Sequence, residues 1–295
     1  MNIPMSITNR HGLPSVLVNL MTRDDYSRGD ARISVTGLID EPQIHQLKEH
    51  HKADIEEDVA DGVWSLFGRA VHGVLEGGAG PEHIVEERIT TTILGWKLSG
   101  AMDLQTMEEG GRAIEDYKVT SAYNVMNQKK SWEQQLNVYK WLVEREKGVR
   151  VTRLAIVAIV RDFNRNMVGT KEGYPVCPVV TIPIRMWSND EAEAFVVERI
   201  TAHQEAARAM EWGDELPVCS EEGMWLRGGT WAVMVEGRKR AFRVFDNQKE
   251  AELCAMETPK ATVEHRPGEP IRCTGFCPVS KWCVQFAQYK EDHNG

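Results

Sequence analysis

GAMDLQTMEEGGRAIEDYKV, residues 100–119, is the stretch on which the fold turns. KLSGAMDLQTM and RAIEDYKV both have the residue pattern of extended chain, and EEGG between them is a turn, so the segment is expected as an antiparallel hairpin. In a strand, residues two apart share a face. Asp116 and Lys118 therefore point the same way as Ile114, while Glu115, Tyr117 and Val119 point the other way. Pairing across EEGG can bring Asp103 of the first strand close to Asp116 of the second. Two carboxylates and a lysine on neighbouring strands suit a hard divalent cation, which is held by a few carboxylates and completed by water or phosphate oxygens. Asp116-Tyr117-Lys118 is the only acid-x-Lys triplet in the chain. The plain alternative is an amphipathic hairpin with a surface ion pair, which would contribute little stability.

Working outward, HIVEERITTTILGW reads as a strand that joins the hairpin on its N-terminal side. Before it, Val59, Val63, Leu66, Phe67, Ala70 and Val74 recur at helical spacing, which predicts one amphipathic helix from about Asp54 to Glu76, broken by GGAGP. Further upstream, ARISVTGLID is expected as a short extended piece and EPQIHQLKEHH as a short helix. Downstream, Leu136, Tyr139, Leu142 and Val143 mark a helix over Trp132 to Lys147. VTRLAIVAIVR is a nearly continuous apolar run, as expected of a central strand covered on both faces. VCPVVTIPI is a further strand, and NDEAEAFVVERITAHQEAARAMEW a long helix. The order is that of an α/β fold, a mixed central sheet flanked by helices. Residues 1–30 are expected as a loose N-terminal segment, 31–213 as the core, and 214–295 as a C-terminal hairpin, a helix and a cysteine-rich tail.

Two flanking helices carry further polar residues. GRAVHGVLE places His72 late in the first long helix, and WEQQLNVYKWL places Gln135 and Tyr139 four apart on one helical face. In order, the chain then offers Gly68 and His72, Gly100 and Asp103, Asp116 and Lys118, and Gln135 and Tyr139. This series resembles the RecB-like branch of the PD-(D/E)XK nucleases over about residues 32–165, a family similar to bacterial recombination exonucleases and CRISPR-associated adaptation nucleases. The residue before Asp103 is Met102 where the superfamily's formal motif has proline. The resemblance implies a restriction-endonuclease-like core and a Mg2+- or Mn2+-dependent deoxyribonuclease, with an exonuclease of recombination, repair or phage DNA metabolism as the leading expectation. His72, Asp103, Asp116 and the Tyr117 carbonyl would bind the metal, and Lys118 would position or activate the attacking water. Gln135 and Tyr139 would line the DNA side, and Glu87 would support from behind. ISVTGLI, residues 33–39, looks like the family's N-terminal segment. The competing readings are a nuclease-fold protein that binds DNA or a recombination or annealing partner without cutting, and an interaction protein stabilised by zinc.

With 42% hydrophobic residues the chain can build a core, and a net charge of -9 argues against a passive nucleic-acid coat. Any grip on DNA would come from local basic clusters such as Lys129 and Lys130, or Arg238, Lys239 and Arg240. No apolar run reaches the ~20 residues of a membrane helix, and MNIPMSITNRHG has no signal-peptide pattern. A cytoplasmic protein without a membrane partner is expected.

Cys273, Cys277 and Cys283 are spaced C-x3-C-x5-C. In a reducing compartment, thiols this close are usually metal ligands. Several RecB-like nucleases hold an iron–sulfur cluster on three such C-terminal cysteines and one that precedes the nuclease motifs. Here no cysteine precedes Cys177, so Cys219 is the expected fourth ligand and Cys254 a small packing residue in a helix. The resemblance implies a 4Fe-4S cluster; four thiolates alone would equally suit zinc. Either metal would tie the tail down, because binding free energy also stabilises the fold.

Overall fold

The computed structural model describes residues 6–22 and 29–293. Two compact units emerge: Met1–Pro42 with Glu56–Glu215, and Gln43–Ile55 with Leu216–Gly295. The second thus contains a segment from the expected 31–213 core. In chain order the elements up to the first hairpin are β1 (Ser6–Thr8), α1 (Ser15–Thr22), β2 (Ile33–Ser34), α2 (Val35–Ile39), α3 (Pro42–His50), β3 (Glu56–Asp58) and α4 (Val63–Glu76). There follow β4 (His83–Ile93), β5 (Trp96–Glu108), β6 (Gly111–Thr120), α5 (Ala122–Met126), α6 (Lys130–Lys147), β7 (Val151–Val160), β8 (Val179–Pro183) and α7 (Asn189–Trp212).

The first unit is built on a mixed sheet of order β2-β5-β6-β7-β8, with β4 also paired to β5. The β4, β5 and β6 strands form an antiparallel meander, and β7 lies parallel to β6 after the α6 crossover. The apolar run of β7 is an inner strand, with Leu154, Ile156 and Ala158 almost fully buried. Against this sheet packs α6, in which every residue from Gln135 to Val143 is buried. Its Leu136 and Leu142 are fully buried, each contributing about 1.5–3 kcal/mol of apolar burial. Gly148, at φ 63, ends α6 in the left-handed cap that glycine adopts without a Cβ clash. The Ser188 hydroxyl caps α7 by accepting from the Glu191 amide, and Gly213 closes it.

Two expectations are corrected. The predicted helix from Asp54 to Glu76 forms only from Val63. Before it, Asp58 accepts from the amides of Arg10 and Ala60, at 2.8 and 3.0 Å, and from the Thr8 hydroxyl, while β3 pairs in parallel with β1. A side-chain acceptor that satisfies local amides competes with helix formation. The same contacts order part of the segment expected as loose; residues 1–5 and 23–28 lie outside the described residues. No residue of α4 is buried, and its apolar side chains Trp64 and Val74 are 59% and 76% exposed. ARISVTGLID, expected as extended, contributes only the two residues of β2 before α2 starts, with the Ser34 hydroxyl as its cap.

The second unit has a three-stranded antiparallel sheet formed by β10 (Thr230–Val235), β11 (Arg243–Phe245) and β12 (Ala261–Arg266), and a short pair formed by β9 (Leu226–Arg227) and β13 (Glu269–Pro270). The helices α8 (Gln248–Glu257), α9 (Ile271–Gly275) and α10 (Val284–His293) complete it together with α3. The expected hairpin of residues 229–245 is β10 and β11, and Cys254 lies half-buried in α8. No described helix is long and apolar enough to cross a membrane.

Candidate active site

Register positions the carboxylates. Leu104 pairs with Glu115, the last pair of the β5–β6 ladder, so one step further sets Asp103 opposite Asp116. There the ladder gives way to a side chain: Asp103 Oδ2 accepts from the Tyr117 amide at 2.8 Å. Burial and the negative charge of Asp116 push the Asp103 carboxyl up to about 7, against the opposing pull of His72, Lys118 and the Tyr117 amide.

Asp116 is 1% exposed. Its Oδ1 accepts from Gln135 Nε2 at 3.0 Å, and its Oδ2 makes no hydrogen bond but has the Lys118 ammonium 2.5 Å away. Burial alone would lower Lys118, but Asp116 and Asp103 raise it, so the group remains an ammonium. Gln135 Nε2 also donates to the Tyr139 hydroxyl at 3.0 Å. Gly100 explains why that tyrosine can stand there. A Cβ at residue 100 would lie 2.9 Å from Tyr139 Cε1 and 2.8 Å from Leu142 Cδ1. Gln135 and Tyr139 are 6% and 4% exposed. They sit behind Asp116, without the open surface that a direct contact with DNA requires, and Gln135 acts as a holder of the carboxylate.

His72 arrives from α4. Its Nε2 is 3.0 Å from the Tyr117 carbonyl and 3.7 Å from Asp103 Oδ2. A carbonyl can only accept, so Nε2 carries the proton in this arrangement and must shed it to bind a cation. All four residues expected as metal ligands are thus gathered in one place. The buried Asp116 oxygen, the Tyr117 carbonyl and the Asp103 carboxylate are hard oxygen donors and fit Mg2+ or Mn2+.

Glu87 does not join them. Its carboxylate accepts from Gln105 at 2.7 Å and pairs with Arg112 and Lys147, a network that braces the sheet. Its neighbour Glu86 is the acid at the site, and sequence reading missed it. His72, Glu86 and Asp103 each offer a ligand atom within 4.8 Å of the others, the only such group of three among the described residues. Both belong to a cavity with His72, Glu76 and Tyr117. The signal that could have found Glu86 was the EE pair in HIVEERI, but strand alternation alone does not say which member faces Asp103.

Near the C-terminal ends of β6 and β7 stands a positive cluster. Burial and the charges of Arg161 and Lys118 lower the Lys129 ammonium, and the Arg161 guanidinium lies 4.6 Å over the exposed Trp64 ring. Arg238, Lys239 and Arg240 are on the exposed turn between β10 and β11, in the other unit.

In the second unit Cys219, Cys273, Cys277 and Cys283 line one cavity, and Cys254 is not part of it. The thiols of Cys219 and Cys283 both donate to Gln43 Oε1, each at 3.3 Å. Burial and the proximity of Cys277 and Cys283 push the Cys273 thiol up to about 11.

A mixed sheet that brings Asp103, Asp116 and Lys118 together under a helical histidine defines the class of metal-dependent nucleases. The chain matches the PD-(D/E)XK nuclease superfamily over residues 52–284, and it belongs to that superfamily. Among solved structures it is similar to SSO0001, at 16% identity and a TM-score of 0.47, covering 72% of this chain and 88% of that one. A candidate exonuclease from Eubacterium rectale is similar at 17% identity and a TM-score of 0.32, covering 47% of this chain and 48% of that one. A search of curated proteins finds no match.

Proposed function

We propose that this protein is a RecB-like deoxyribonuclease that uses Mg2+ or Mn2+ to hydrolyse phosphodiester bonds, acting as an exonuclease in DNA recombination, repair or phage DNA metabolism. The observation that carries this reading is the intact set around Asp116: a buried carboxylate oxygen without a hydrogen bond, flanked by Lys118, Asp103 and the Tyr117 carbonyl. A non-cleaving homologue has no need to keep Lys118 charged beside a buried acid. When bound, the cation polarises the phosphate, acidifies a water and stabilises the leaving oxygen. Lys118, kept as an ammonium, orients the attacking water and offsets phosphate charge; it is not a base at neutral pH. Gln135 and Tyr139 hold Asp116 in place. Lys129, Arg161 and the Trp64 ring supply the DNA grip, a combination of positive charge and aromatic surface suited to a nucleic-acid strand.

The four-cysteine cavity supports an iron–sulfur cluster held by Cys219, Cys273, Cys277 and Cys283. Sulfurs ~2.3 Å from a tetrahedral zinc stand about 3.8 Å apart. No three of these thiols come within 4.8 Å of one another, a spacing that favours the larger cluster.

The test is purified protein on end-labelled linear and closed circular DNA with Mg2+, Mn2+ or chelator. Metal-dependent shortening of the linear substrate alone is the expected result. Cleavage of the circle would make it an endonuclease, and no cleavage with either metal would sink the reading.

A further inference from the structure

Glu86, Asp103 and Asp116 occupy one row across three adjacent strands. Val85 pairs with Leu104 and Glu87 with Met102, which puts Glu86 opposite Asp103, and Asp103 in turn is opposite Asp116. Carboxylates facing one another across paired strands repel, and a row of three is costly unless cations lie between them. Lys118 serves the Asp116 end, where it is 2.5 Å from Oδ2. At the other end the nearby groups are His72 and a further acid, Glu76, in the cavity wall.

The backbone at Glu86 has φ 49, a left-handed conformation in the middle of a strand. It breaks the alternation of β4, so that Glu87 serves the Gln105 network while the Glu86 carboxylate stays with His72 and Asp103. Asp103 has capacity for two neighbours: Oδ2 takes the Tyr117 amide, and Oδ1 makes no hydrogen bond among the described residues. Burial and the negative charge of Glu76 raise the Glu86 carboxyl, which shows that this corner holds surplus negative charge.

We propose that Glu86, His72 and Asp103 form a second divalent-cation seat, beside the first seat of Asp103, Asp116 and the Tyr117 carbonyl and sharing Asp103 with it. This rests on the nuclease reading for the first seat but uses a residue outside that reading. An imidazole and two carboxylates suit Mn2+, which accepts nitrogen as well as oxygen. The cavity along α4 and β4 leaves room for water or a phosphate oxygen to complete the shell.

The experiment counts Mn2+ bound by the full chain, with its cysteine site as purified, by calorimetry and by electron paramagnetic resonance, alongside the DNA assay. Wild type is expected to bind two ions with a spin-coupled signal. Glu86→Gln should bind one and lose the coupling, Glu86→Asp should recover two with the second weakened, and Asp116→Ala should keep the Glu86 seat alone. A wild type that binds one ion and cuts DNA overturns the second seat and leaves the nuclease standing. A wild type that binds two ions and never cuts overturns the nuclease and leaves the seat. Glu86→Gln that still binds two ions overturns the seat outright.

Discussion

At Gly100 one hydrogen decides the geometry of Asp116. The missing Cβ admits Tyr139, whose hydroxyl takes a hydrogen bond from Gln135, which in turn donates to Asp116. Gly100→Ala forces the ring or Leu142 to move. It should cost about 1–3 kcal/mol as an overpacked core does, and it should weaken cleavage even though residue 100 touches no substrate. Urea melts set against single-turnover rates would check both parts; a variant with lower stability and full activity would break the link to Asp116. Lys118→Ala has the opposite profile. The side chain is a cation and cannot be a metal ligand, so cleavage should fall on the order of 10²-fold or more while Mn2+ affinity is retained. A large loss of affinity in a calorimetric titration would instead give Lys118 the task of shaping the seat.

The elements that carry these residues differ in how firmly they are held. The α6 helix is enclosed in the core, so Gln135 and Tyr139 have fixed positions. The α4 helix, which carries His72, presents Trp64, Phe67 and Val74 to solvent and has no buried residue. Its approach is anchored by Asp58 between β1 and β3. Hydrogen bonds from Arg10, Ala60 and Thr8 hold that carboxyl down at about 2 from an ordinary 3.8. A carboxylate with a depressed folded value stabilises the native state above its unfolded value and loses that effect as pH falls through the folded one. Amide-exchange protection at Arg10 and Ala60 should therefore decline between about pH 4 and pH 2. Asp58→Asn should show weak protection already at neutral pH; an unchanged profile would remove Asp58 as the anchor.

Over the whole molecule, the cysteine cavity draws on three distant stretches: Gln43 on α3, Cys219 after α7, and the tail from Cys273 to Cys283. A metal bound there ties these parts of the second unit together, and its binding free energy becomes stability. Protein purified without oxygen should be brown and contain iron and sulfide. Cys219→Ser, Cys273→Ser, Cys277→Ser and Cys283→Ser should each remove the colour and lower the melting temperature, whereas Cys254→Ser should do neither. Zinc without iron would replace the cluster with a zinc staple. A colourless, metal-free protein with all four thiols titratable would remove the site.

Much of this was legible in residues close together in sequence. The hairpin that brings Asp103 towards Asp116, the common face of Asp116 and Lys118, and the pairing of Gln135 with Tyr139 follow from strand and helix periods acting over about twenty residues, where chain geometry leaves few choices. The sequence by itself determined the mixed α/β core, the order of its strands and the crowding of three cysteines. Tertiary structure decided the rest, because the interactions responsible are non-local. Asp58 accepts from an amide 48 residues away and so halts the helix short of Val63. A left-handed backbone at one position selects Glu86 over Glu87. Gln43–Ile55 joins the C-terminal unit, and Cys219 meets the tail across more than fifty residues of chain, because folding places them around one cavity. Periodicity records which face of an element a residue takes, but not which distant element arrives to meet it.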